Sequence, residues 1–314
     1  MEARDIAASG PAGIPRRLEA PSPRYGEKAI FALLAACALL SVVTTTAIVI
    51  ALIGPTIGFF QDVPVGDFLF GTEWSPQFEP ASFGVLPIVV GTLNVTLWGM
   101  LFAIPIGLGA AIYLSEYANP RVRKVVKPAL EVLAGIPTVA IGFFAVAFIT
   151  PEIIQKLATS APIFLALSAG IGIGLMVVPI IASISEDAMG AVPGGLREGA
   201  YAMGATRMRV AIRVVFPAAL SGIVASIVLA ISRAVGETMI VVLAAGSTPN
   251  LTMNPLESIQ AMTAYIATIA TGEVAQGTPE YDTIFAVGAL LFVMTLAMNL
   301  ISIRLVRRFR EVYE

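Results

Sequence analysis

Six apolar runs, at about 29–58, 84–115, 129–150, 161–185, 218–245 and 284–303, alternate with polar segments along the chain. About 20 apolar residues suffice to carry a helix across a hydrocarbon core, so each run predicts a membrane-spanning helix. The first follows a polar prefix bearing Pro11, Pro15, Pro21 and Pro23. It is too long for a signal-peptide core and no small-residue cleavage pattern closes it, so it is expected to remain as a helix. The organisation read from this pattern is a tail of residues 1–28, expected to be disordered, and one all-α polytopic membrane domain over 29–314. Within the runs, Pro105, Gly107 and Gly109, then Gly135, Pro137 and Gly142, then Gly170, Gly172, Gly174 and Pro179 fit closely packed, kinked helices. The same residues are also ordinary membrane-helix composition.

Composition supports the membrane reading independently. Hydrophobic residues make up 57% of the chain and charged residues 13%, against roughly a quarter charged in soluble domains. Seventeen of the 19 basic residues fall in the prefix, in the segments after the second and fourth runs, and in the tail after the sixth. Lys156 alone lies on the other side and Arg233 lies within a run. The positive-inside rule then places both termini in the cytoplasm and the acidic segments outside. A single Cys37 excludes an intrachain disulfide, and the absence of histidine removes the commonest nitrogen ligand and proton shuttle. Metal-dependent hydrolysis and histidine catalysis are therefore poor readings, and no metal site is expected.

Arg233 is the one basic residue in the apolar stretch from Ala218 to Ala245. A cation at membrane depth costs a few kcal/mol and marks a protein interior or a watery path. Counting from Pro217 as the start of the span, sixteen residues of helix would carry Arg233 about 24 Å, into the external half of the core. Guanidinium stays charged and presents a donor fork that matches phosphate oxygens. Glu237, one turn later on the same face, can pair with it when no anion is present. Two readings stand: a substrate path including Arg233, Glu237 and Thr238, or a static ion pair between helices. Glu131, close after Lys124 and Lys127, is a candidate at the cytosolic mouth or an interfacial carboxylate. Thr138, after Pro137, either lines the path or repairs a backbone defect.

The segment 186–217 is too polar to span. Pro193 and Gly194 open a short helix that Gly204 is positioned to end, and Thr206 can cap a second helix through Val215 before Pro217. Two brief helices joined at a glycine make a knob suited to a groove in a partner protein, with Leu196, Ala200 and Met203 on one apolar stripe.

This segment resembles the EAA loop of bacterial ABC-importer permeases. Glu198-Gly199-Ala200, Gly204, Val214 and Phe216-Pro217 match its spacing throughout, and Gly199, Val214 and Phe216 depart from its usual residue types. The strings Leu133-Ala134-Gly135-Ile136-Pro137-Thr138 and Arg233-Ala234-Val235-Gly236-Glu237-Thr238 further resemble the phosphate importer permease subunit of the PstC type, from about Asp67 to the end of the chain. The resemblance implies a type I ABC-importer permease fold in the bacterial inner membrane. It implies a phosphate path shared with a homologous PstA-type permease, an ATP-binding subunit dimer, and a periplasmic or lipid-anchored phosphate-binding protein. Glu198, Gly199, Ala200, Gly204 and Pro217 would couple to the ATPase.

The chain has no Gly-rich loop ending in Gly-Lys-Ser or Gly-Lys-Thr, so ATP and Mg are expected on a partner subunit, with no cofactor on this chain and no enzyme activity of its own. Arg304 to Arg310 read as an anchor at anionic lipid, with no nucleic acid as partner. Two alternatives are kept: a permease for molybdate or sulfate, and a secondary anion transporter, which would have no use for the cytosolic double-helix loop.

Overall fold

The computed structural model describes residues 25–272, 274–275 and 277–308. The expected tail lies outside these residues up to residue 24, while Tyr25 to Lys28 already belong to the first helix, α1 (Tyr25–Asp62). Contacts divide the chain into two units, one through Ala51 and one from Leu52. Among described residues the first unit holds only the N-terminal part of α1. There Thr44, Thr45 and Thr46 return their hydroxyls to the carbonyls of Leu40, Ser41 and Val42. Such back-bonding satisfies a hydroxyl within the helix where lipid offers no partner.

The second unit continues with α2 (Val65–Phe70), β1 (Trp74–Ser75), β2 (Ser82–Phe83), α3 (Leu86–Tyr117) and α4 (Pro120–Ala134). The strands are antiparallel, with Trp74 opposite Phe83 and Ser75 opposite Ser82. This two-residue pair is a small addition to a fold that is otherwise helical, as expected. It sits over Phe59, Phe68 and Tyr265, where Trp74 meets Tyr265 edge-on at 4.8 Å between ring centroids.

After α4 come α5 (Thr138–Leu157) and α6 (Ala166–Gly190). The third span therefore starts at Thr138 and not near 129. Residues 129–134 are apolar in a sliding window, but they belong to α4, a separate helix with one polar face. Its start is fixed by Asn119, whose side chain accepts from the Val122 amide at 2.9 Å, with Pro120 at the first helical position.

α3 and α6 form the most extensive helix pair. They meet across glycines: a Cβ on Gly99 would lie 3.0 Å from the Gly170 carbonyl oxygen, so only the bare backbone allows this approach. Ile173, Val177 and Ile181 of α6 are buried at this seam.

The polar segment 186–217 forms α7 (Gly194–Ala202) and α8 (Arg207–Ala218). They are followed by α9 (Leu220–Val235), α10 (Met239–Ala244), α11 (Met262–Thr271) and α12 (Pro279–Arg308). The chain bends by 72° between α8 and α9. The fifth run is therefore not one straight helix over 218–245: it bends at Ala219 and breaks again after Val235. Among the described residues five helices are long and apolar enough to span, and the bent pair, taken as one span, brings the number to six.

Candidate functional site

The break between α9 and α10 is built around Glu237, whose side chain is 3% exposed. Its Oε1 accepts from the backbone amides of Met239, at 3.1 Å, and Ile240, at 3.3 Å. These are first-turn donors of α10, which have no partner within the helix. A carboxylate there satisfies them and complements the positive helix end. The Glu237 carbonyl, freed by the same break, accepts from the Thr263 hydroxyl of α11 at 2.7 Å. Irregular backbone at membrane depth persists where protein groups take up its polar atoms in this way.

Arg233 ends α9 one turn earlier. Its Nη1 lies 3.8 Å from Glu237 Oε2, and its side chain is 49% exposed. This distance is too long for a hydrogen bond. No hydrogen bond to the guanidinium occurs among the described residues, so its donors are open to a ligand. The two oxygens of Glu237 thus have different tasks, one capping α10 and one facing the cation. Because α9 begins at Leu220, thirteen residues of helix carry Arg233 about 20 Å, less than the straight-span expectation. Next to it, Ser232 donates to Asn299 of α12 at 3.0 Å. The Thr238 hydroxyl reaches the Gly236 carbonyl at 3.4 Å, near the limit of a hydrogen bond.

α10 packs on α5, where a Cβ on Gly142 would stand 3.0 Å from the Ile240 Cα. Thr138 opens α5 one turn before Gly142, with Pro137 at its N-cap. Glu131 lies elsewhere. It is exposed on α4 and lines a cavity of about 430 Å3 with Pro120, Arg123, Lys124, Lys127 and Pro128. Arg233 is absent from that cavity, so the structure does not join these two candidates.

The segment 186–217 follows its punctuation. Gly204 adopts φ +79°, with nothing near the position of a Cβ. That left-handed backbone is accessible to glycine without penalty. Thr206 caps α8 by accepting from the Arg209 amide at 3.4 Å. The apolar stripe is divided: Met203 is 88% exposed and Leu196 is exposed, while Ala200 turns inward against the cluster of Val192, Val210 and Val215. Glu198 and Gly199 are exposed on α7, and Pro217 lies in the last turn of α8, before the bend, rather than at the start of a span.

Three charged groups that the sequence reading did not single out hold the segment and its neighbours. Glu186, fully buried near the end of α6, pairs with Lys127 at 2.9 Å and with Arg123 of α4. Asp187 takes a second contact from Lys127 at 2.5 Å. The hydrogen bonds from Lys127 to Asp187 and Glu186 raise its pKa above the ordinary value, against a smaller effect of desolvation. A raised ammonium pKa contributes stability that is present below the unfolded value and lost only as pH rises through the folded one, so this clamp is intact at neutral pH. Glu116, at the end of α3, pairs with Arg197 of α7 at 3.0 Å. Acidic residues inside or closing apolar runs were the available signal, the same kind that marked Arg233.

The family model described as "Binding-protein-dependent transport system inner membrane component" matches residues 103–311, which include α5 to α12. The chain belongs to this family. It is a multi-pass inner-membrane permease component of an ABC importer and is not itself catalytic. Permeases of this family work with ATPase subunits and a binding protein. Relatives include a probable ABC transporter permease protein, YqgH, of Bacillus subtilis, 35% identical over 83% of this chain and 84% of its own length. The phosphate transport system permease protein PstC of Xylella fastidiosa is 32% identical over 75% of this chain and 76% of its own. Among solved structures, a bacterial alginate ABC transporter chain covers 93% of this chain and all of its own with a TM-score of 0.64 at 18% identity, a likeness of fold.

Proposed function

We propose that this chain is the PstC-type permease of an ATP-driven phosphate importer. It would share the phosphate path with a PstA-type permease, receive phosphate from a periplasmic or lipid-anchored binding protein, and couple through 198–217 to an ATPase dimer that holds ATP and Mg. The observation that carries this reading is the Arg233 guanidinium, half-exposed at a helix break with its donors unengaged, 3.8 Å from a buried carboxylate. An arriving tetrahedral oxyanion replaces the weak pairing with Glu237 by bidentate hydrogen bonds to the guanidinium fork. Glu237 stays in place because its other oxygen is held by α10, so the carboxylate can re-pair with Arg233 once the anion leaves. Relatives named as phosphate permeases at 30–33% identity support the choice of anion.

Both termini are placed in the cytoplasm on the distribution of basic residues, with α4, α7 and α8 on that side. The test of substrate is radiolabelled phosphate uptake by vesicles containing the complete importer. Excess unlabelled phosphate should abolish the signal and equal sulfate or molybdate should leave it. Stronger competition by sulfate or molybdate would assign the permease to that anion instead.

A further inference from the structure

The coupling helix α7 is weak by itself. Three of its nine residues, Gly194, Gly195 and Gly199, are glycine, each less favourable in a helix interior than alanine by up to about 1 kcal/mol. No side chain caps its N-terminus. Its most extensive packing is with α8, including the wide turn Ala211–Val215 within that helix, which follows it in the chain. Apart from the apolar contact of Ala200 with the cluster that includes Val192, what ties it to preceding elements is Arg197. Nε and Nη2 donate to Glu116 Oε1 at 3.3 and 3.0 Å, Nη1 donates to the Val192 carbonyl at 2.6 Å, and Nη2 also reaches the Met189 carbonyl at 2.7 Å. Among the described residues these are the only side-chain hydrogen bonds of α7.

The three acceptors belong to different elements. Met189 lies in the last turn of α6 and Val192 just beyond it, while Glu116 sits in the wide π-type turn Tyr113–Tyr117 that ends α3. Glu116 is 5% exposed, and its Oε1 also accepts from the Ser115 hydroxyl at 3.0 Å. A cavity of about 690 Å3 opens beside the pair, lined by Ser115, Glu116, Asn119, Arg197, Tyr201 and Arg207. Arg197 is therefore positioned by four directed hydrogen bonds. The guanidinium joins the coupling helix to the ends of α3 and α6, the pair that forms the main transmembrane seam.

We infer that Arg197 and Glu116 form a positioning latch that passes displacement of α7 to α3 and α6, so that ATPase movement is felt in the membrane. The inference rests on the coupling role of this segment given above. The pair touches no substrate, and its effect is on how hydrolysis and uptake are linked. Arg197→Lys keeps the charge but loses the planar fork that serves three acceptors at once, and Glu116→Gln keeps the shape but loses the charge.

The test uses the complete importer in proteoliposomes, with uptake and ATP hydrolysis measured per assembled complex. Either variant should assemble, hydrolyse ATP, and show phosphate taken up per ATP reduced about fivefold or more, the lower end of typical coupling. The double variant should lose no more than the worse single one, because both remove one latch. Backbone amides of Leu196 to Ala202 should also exchange faster with deuterium in both single variants. An unchanged ratio, unchanged exchange, multiplicative losses in the double variant, or failure to assemble would each overturn the latch, the last by assigning the pair to folding. Leu196→Ser with Met203→Ser separates this from the parent reading. If that variant still binds the ATPase fully, the docking role of α7 falls. If it loses the ATPase while Glu116→Gln leaves the ratio intact, only the latch falls.

Discussion

At the residue scale, Glu237 and Arg233 divide a task between a fixed anion and an available cation. Glu237 is held by two α10 amides, so Glu237→Ala should lower the thermal stability of the detergent-purified protein by about 1 kcal/mol, the usual loss for a missing helix cap. Glu237→Gln retains an amide oxygen for the same donors and should lose less stability, while its effect on uptake should be the larger one. A midpoint as low for Gln as for Ala would show that charge, not capping, holds the break. Arg233→Lys should transport less than the native chain yet more than Arg233→Gln, since an ammonium supplies charge without the fork. Equal uptake by the Lys and Gln variants, read at saturating phosphate, would count against bidentate recognition.

At the element scale, the two helices of the knob are joined through one left-handed residue. Gly204→Leu should cost about 1–2 kcal/mol at φ +79°, insert normally, and hydrolyse ATP with reduced phosphate uptake. Uptake per ATP at the native value would contradict the coupling assignment. This knob was legible in the sequence because its signals are local: Pro193 and Gly194 at the start, Gly204 at the turn, Thr206 as cap. The third span was misplaced because a hydropathy run counts apolar residues without regard to their face, and Ala129 to Ala134 belong to an amphipathic helix closed by Gly135. At the break in the fifth span the Glu237 cap is local, on amides two and three residues ahead, whereas the Thr263 hydroxyl that takes up the freed Glu237 carbonyl comes from 26 residues away, with no local pattern to announce it. The Arg197–Glu116 contact joins positions 81 residues apart, beyond the reach of any spacing rule.

At the scale of the whole molecule, the proposed orientation rests on the distribution of basic residues. With Cys37 replaced, single cysteines at Ser75 and Thr278 should react with an impermeant thiol reagent from outside, and one at Thr206 should not. External labelling of Thr206→Cys would reverse the orientation. If phosphate passes Arg233, as proposed, the direct measurement is ATP-driven phosphate uptake by the reconstituted complex carrying Arg233→Gln with Glu237→Gln. Removing both charges relieves any penalty of a stranded partner, so a purely structural pair is often tolerant of this change. The path reading predicts a complex that assembles and hydrolyses ATP but takes up little phosphate. Uptake at the native rate by that double variant would show that the pair only holds the helices, and would contradict the path.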